Sequence, residues 1–162
     1  NATFGQRYLF AFIERSTLSA QIRLDYSVNP DLTVELYAEP FASSGRYYDV
    51  GELSAASTGT LRTYGTDGTM FDRGDDGSLL ITDGPASFSV SNPNFNVRSY
   101  RSNLVLRWEW TRGSTLFLVW QQDRSQRTPE GRLVRPVDLW DSFSEPGRNV
   151  FALKINYWLL VR

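Results

Sequence analysis

The chain contains no cysteine and no histidine. Without cysteine there is no disulfide, no thiolate nucleophile, no iron–sulfur cluster and no c-type haem attachment. Without histidine there is no Ser-His-Asp triad, no imidazole zinc site and no histidine ligand for haem or chlorophyll. Lysine occurs once, at Lys154. Any chemistry falls to carboxylates, tyrosine or arginine, and the sequence assigns no catalytic residue and no cofactor.

The chain also lacks an apolar run of about 18 residues, so no transmembrane helix is expected. It lacks a charge bias: 17 basic against 18 acidic side chains give a net charge of −1. That balance makes no electrostatic case for a nucleic-acid partner. No leader segment is visible, and the chain begins Asn-Ala-Thr. It reads as one β-rich domain over 1–162, the C-terminal part of a longer precursor.

What is abundant is aromatic: 14 % of residues, with five Trp, eight Tyr and ten Phe. These sit in segments of period two. In "LSAQIRLDYSV", Leu18, Ala20, Ile22, Leu24, Tyr26 and Val28 point one way and polar residues the other, the mark of a strand with one apolar face. "NPD" (Asn29 to Asp31) then makes a turn, and "LTVELYAEPF" resumes the alternation. "RYLFAFIER" precedes these as a short strand. "NVFALKINYWLLV" is the last, with Phe151, Leu153, Ile155, Tyr157, Leu159 and Val161 on one face.

Residues 42–97 and 123–148 are polar excursions rich in Gly, Ser, Asp, Thr and Arg. The first is expected to hold short strands at Thr60–Thr63, Leu79–Thr82 and Ser87–Val90. No helix is predicted. The expected fold is all-β: an antiparallel, twisted sheet of about six long strands, barrel-like or a partial barrel. Strands of about ten residues joined by alternating short turns and long loops are the plan of outer-membrane barrels, but those need about eight strands to close. The sheet therefore leaves open edges that call for a partner.

"SNLVLRWEWTRGSTLFLVWQQ", residues 102–122, is the clearest hairpin. A two-residue Arg112-Gly113 loop makes opposed residue numbers sum to 225. Trp110, Trp108 and Leu106 then share a face with Thr115, Phe117 and Val119. Leu116, Leu118 and Trp120 fall on a mixed face beside Glu109, Arg107 and Val105, so neither side is simply wet, and protein is expected to cover Leu116, Leu118 and Trp120.

Three stretches, "FGQRYLFAFIERSTLSAQIRLDYSVNPDLTVELYAEPFASSGRY", "NPNFNVRSYRSNLVLRWEWTRGSTLFLVWQQDRS" and "VFALKINYWL", resemble the C-terminal region of bacterial proteins in domain-of-unknown-function family 5916. The resemblance implies a region like an outer-membrane β-barrel, preceded in the full protein by a domain resembling a carbohydrate-binding module. It supplies no catalytic motif. Barrel proteins commonly end in an aromatic residue, whereas this chain ends "WLLVR". A fainter likeness, to an extrinsic β-rich subunit of phototrophic reaction-centre–light-harvesting complexes, rests on no quotable motif.

Candidate sites are few. "DRGDDGSLLITD" has the outline of a calcium loop, with Asp72, Asp76 and Asp83 at ligand positions and Gly77 at the bend. Gly74 stands where a third oxygen is needed, and an Asp-Gly hairpin turn explains the same residues without a metal. Glu35, Glu39, Glu109, Asp138 and Asp141 could pair for glycoside chemistry, but no spacing is fixed. Leu139, Trp140 and Phe143 are apolar residues in a polar loop, which suggests a contact surface. Nearby Arg127, Arg132 and Arg135 suit an acidic partner or headgroups. The expected function is a non-catalytic docking subunit of a membrane-associated assembly on the periplasmic side of the bacterial envelope. Its partners would be other protein subunits, near a membrane surface. The interaction residues would be Leu116, Leu118, Trp120, Leu139, Trp140 and Phe143. Alternatives are a section of an outer-membrane barrel for uptake or export, and a carbohydrate-binding module.

Overall fold

A computed structural model describes residues 7–55 and 57–159. The strands are β1 (Phe10–Ser19), β2 (Ile22–Asn29), β3 (Leu32–Leu53), β4 (Leu61–Thr63), β5 (Met70–Arg73), β6 (Leu79–Asp83), β7 (Ala86–Val90), β8 (Phe95–Thr111), β9 (Ser114–Thr128) and β10 (Gly147–Asn156). One short helix, α1 (Pro136–Asp141), lies between β9 and β10 and runs into a 3-10 turn at Ser142–Ser144. The fold is all-β and antiparallel, as the alternation predicts.

The main sheet has seven strands in the order β1-β3-β8-β9-β10, with β2 and β4 also paired to β3. A three-stranded sheet, β5-β6-β7, forms within the first excursion. The chain divides into two compact units. One comprises Asn1–Ser16, Ser44–Asn96 and Thr128–Leu133; the other comprises Thr17–Ser43, Val97–Arg127 and Val134–Arg162.

The expected strand "LSAQIRLDYSV" is interrupted at Ala20 and Gln21. The register does not change there. Ile22 stands opposite Ala38, the Ala20 N–H donates to the Pro40 carbonyl at 3.1 Å, and the Thr17 and Ser43 hydroxyls share a hydrogen bond at 2.9 Å. The same offset thus carries β1 and β2 along β3. The turn after β2 is an Asx turn, its Asp31 N–H donating to Asn29 Oδ1 at 2.9 Å.

The first unit has a small core of Val50, Tyr64, Leu79 and Ile81, with Phe71, Phe88 and Val90 against it. Leu79 and Ile81 are fully buried, each contributing about 2 kcal/mol. The short strands expected near 60–63, 79–82 and 87–90 are β4, β6 and β7. β5 was not expected; it pairs Met70–Arg73 with Thr82–Leu79. The last strand ends at Asn156 rather than 161, and the Leu160 and Val161 ends of its expected span lie outside the described residues.

The expectation of no helix is corrected by α1. Pro136 opens it with a φ already suited to a helix. Asp138 is buried and accepts the Arg135 N–H at 2.6 Å, while the Asp138 N–H donates back to the Arg135 carbonyl. This reciprocal pair satisfies two helix-end groups. Six residues are too few to show a helical period in sequence.

Candidate functional site: a two-faced sheet

The hairpin of β8 and β9 is shifted by one residue from the sequence reading. Ser102 Oγ donates to Gln122 Oε1 at 3.1 Å, and Arg101 lies 3.8 Å from Asp123. Both pairs sum to 224, so even-numbered residues share one face and odd-numbered residues the other. Gly113, at φ +80°, supplies the left-handed residue that absorbs the extra position at the turn. A slip of one residue inverts the face of a whole strand.

The consequence is a clean division. Leu104, Leu106, Trp108 and Trp110 of β8 now share a face with Leu116, Leu118 and Trp120 of β9. Across the next ladder Leu116, Leu118 and Trp120 stand opposite Ile155, Leu153 and Phe151. At the other side of the sheet Ile22, Leu24 and Tyr26 stand opposite Ala38, Leu36 and Val34. No charged side chain interrupts these positions. Ile22, Leu24, Tyr26, Val28, Trp108, Leu118, Phe151, Leu153 and Ile155 are all exposed. The mixed face predicted around Leu116, Leu118 and Trp120 is therefore corrected to an apolar one.

The opposite face is polar at most positions. The Arg23 guanidinium lies over the Tyr37 ring at 5.5 Å, and the Tyr37 hydroxyl donates to Glu39 Oε2 at 2.8 Å. Arg107 reaches Glu109 at 3.4 Å. Lys154 Nζ sits 5.8 Å from the centre of the Phe117 ring, and Asn156 bonds Thr115 at 3.2 Å. Arg23, Asp25, Glu35, Tyr37 and Asn103 line one shallow hollow on this side.

Near the long-loop end of β8 and β9, the α1 segment covers the continuation of the even face. Tyr100 and Ser102 are buried there, while Arg101 and Asn103 are exposed. Phe143 packs on Tyr100 with ring centroids 4.4 Å apart. Arg98 binds Glu145 at 2.7 Å and Asp141 at 3.0 Å, and Arg124 Nη1 donates to the Glu145 carbonyl. Leu139, Trp140 and Phe143 are thus not one apolar patch. Phe143 is an inward anchor, Leu139 is half-buried, and Trp140 is 73 % exposed.

The calcium candidates are not brought together. Asp72 lies in β5, opposite Leu80. Asp76 accepts the Ser78 N–H at 2.9 Å, closing a turn. Asp83 is held by Arg7 at 3.0 Å and Arg62 at 3.1 Å, which depress its carboxyl below the usual range, Arg62 foremost. Among the described residues no group of three or more acidic side chains could hold a metal ion. Four of the five carboxylates considered for glycoside chemistry have local partners too, and the fifth, Glu35, faces a like charge. Glu109 accepts the Gly113 N–H at 3.1 Å, Glu39 accepts from Tyr37, Asp141 pairs with Arg98, Asp138 caps α1, and Glu35 stands opposite Asp25.

A family model described as a domain of unknown function, DUF5916, matches residues 2–161. The chain belongs to the DUF5916 family. The match takes in every strand of the two-faced sheet and both excursions. No curated protein and no solved structure matches the chain, so within DUF5916 the functional reading rests on the geometry.

Proposed function

We propose that this chain is a wall segment of a transmembrane β-barrel in the bacterial outer membrane, serving passage of solutes. The carrying observation is the division of faces across five neighbouring strands, β2, β3, β8, β9 and β10. From the short turns as far as Leu104, Trp120 and Phe151 one face is apolar without a charge; the other carries arginines, carboxylates and amides. A strand that faces water on both sides has no need of this pattern, and in a sandwich the apolar face is covered by a second sheet, whereas here Ile22, Leu24, Leu118, Phe151, Leu153 and Ile155 are exposed. A strand between lipid and a wet lumen needs the pattern.

The stripe along β1 and β2 has the length such a wall needs. Leu18 to Val28 covers roughly 34 Å at about 3.4 Å per residue. A tilt of about 40° makes that roughly 26 Å of height, against an apolar band of about 25 Å. Tyr26, Trp108 and Trp110 cluster toward the short turns, with Trp108 and Trp110 in edge contact at 6.4 Å, the position of an interfacial aromatic girdle. The described strands form an open sheet, so further strands would join at β2 and β10 to close the wall.

The test uses the full-length protein. It is expected in the outer-membrane fraction, to need detergent for extraction, and to migrate differently on gels before and after heating. Solubility without detergent would overturn the reading and favour the second one, a docking subunit whose apolar face is covered by another protein. The open edges at β2 and β10 are what favour that second reading.

A further inference from the structure

We infer that α1 is a membrane-interface anchor: Trp140 and Val137 dip into the lipid headgroup boundary just beyond the apolar band. The inference rests on the barrel reading above and names the contact that reading leaves open.

The placement follows from strand parity. Tyr100 lies on the same face of β8 as Leu104, two alternations further along, about 13 Å at roughly 3.3 Å per residue. Phe143 seats on Tyr100, and the Trp140 ring lies 5.7 Å from that of Phe143. Trp140 therefore projects on the lipid side, level with the end of the band, not toward the lumen. Val137 stands three residues before Trp140, on the same side of the helix, and is also exposed.

The segment is built rigidly enough to hold such an anchor. Arg98 ties down both Glu145 and Asp141, and Asp138 is buried in its cap. The carboxylates of α1 and its 3-10 turn are thus held by protein partners. The outward surface shows an indole, a valine and the exposed Arg135. An amphipathic indole beside a cation suits the phosphate-rich boundary of a bilayer. A protein partner is less well matched, because the exposed large apolar side chains of α1 are only Val137 and Trp140, and they lie just past the polar row of Ser102, Gln122 and Asn149 that ends the band.

The test exploits the absence of cysteine from the chain. In a cysteine-free background of the full-length protein, a nitroxide is placed singly at Trp140→Cys, Leu153→Cys or Thr58→Cys. Each variant is reconstituted in phosphatidylethanolamine–phosphatidylglycerol vesicles, and collision with oxygen and with a water-soluble nickel chelate is compared. The expected oxygen-to-nickel ratio at 140 lies between a high value at 153 and a low one at 58. Val137→Cys repeats the measurement should the Trp140 variant fail to assemble. A high ratio at 153 with a ratio at 140 equal to that at 58 overturns the anchor and leaves the barrel standing. Shielding from both reagents at 140 also overturns it, since protein then covers the site. A low ratio at 153 overturns the barrel and the anchor together.

Discussion

Trp120 stacks on Phe151 across the β9–β10 ladder, with ring centroids 5.7 Å apart and planes 10° from parallel. The stack has the apolar side chains Leu118 and Leu153 as its next pair. Its outer surface is open, Phe151 being 66 % exposed. Such a surface in water would invite aggregation; against hydrocarbon it is at equilibrium.

Leu153→Arg is therefore expected to lower the stability of the membrane-inserted protein by about 2–4 kcal/mol, the cost of a cation near the middle of an apolar band. Lys154→Gln, one residue away on the polar face, is expected to cost under about 1 kcal/mol. Urea unfolding of the full-length protein in phospholipid vesicles measures both. Equal costs would show that the two faces meet the same medium.

Glu145 is the buried end of the Arg98 network. Glu145→Gln keeps the shape and removes the charge, and is expected to weaken the loop by about 1–3 kcal/mol. Arg98→Met leaves the buried carboxylate unpaired, and a loss of about 3–5 kcal/mol is expected. Hydrogen exchange in residues 136–146 reads both, with the arginine variant the more open.

Asp83 predicts an acid-side weakness in the first unit. Its two arginines favour the charged carboxyl in the fold, so its folded pKa lies below its unfolded value. The stabilisation is complete above the ordinary aspartate pKa of about 3.9. It fades as pH falls below that value toward the depressed folded one. Amide protection in Leu79–Asp83 is expected to drop over that window. In Asp83→Asn protection is expected to be lower at neutral pH, and this acid-dependent step to disappear.

Calcium is expected to leave the melting of the first unit unchanged at millimolar concentration, because Asp83 faces guanidinium groups and Asp76 closes its own turn. A calcium-dependent rise in melting temperature, lost in Asp72→Asn, is the contrary result.

Alternation made the long strands legible, because one apolar face repeats every second residue whatever lies around it. The hairpin register was not legible. "TRG" admits a two-residue loop or a bulged turn, and only the conformation of Gly113 chooses between them. That single residue moves Leu116, Leu118 and Trp120 from a mixed face to one apolar face. α1 left a faint trace, a proline followed two residues later by an aspartate, which its six residues could not reinforce. The Arg7–Asp83 and Arg62–Asp83 pairs left none, since contacts 76 and 21 residues apart carry no local pattern.

The short turns have a consequence for engineering. Asn29 and Gly113 set the alignment of the strands they join, so pairing is decided at that end of each hairpin. The opposite loops are free of this duty. At the tip of the β3–β4 hairpin two backbone hydrogen bonds close the loop, the Ser54 N–H donating to the Thr60 carbonyl and the Thr58 N–H to the Ala55 carbonyl. A foreign peptide spliced into that tip would be displayed while the strand pairings set at the short turns kept their alignment, making the chain a scaffold whose cargo site is separate from its folding code.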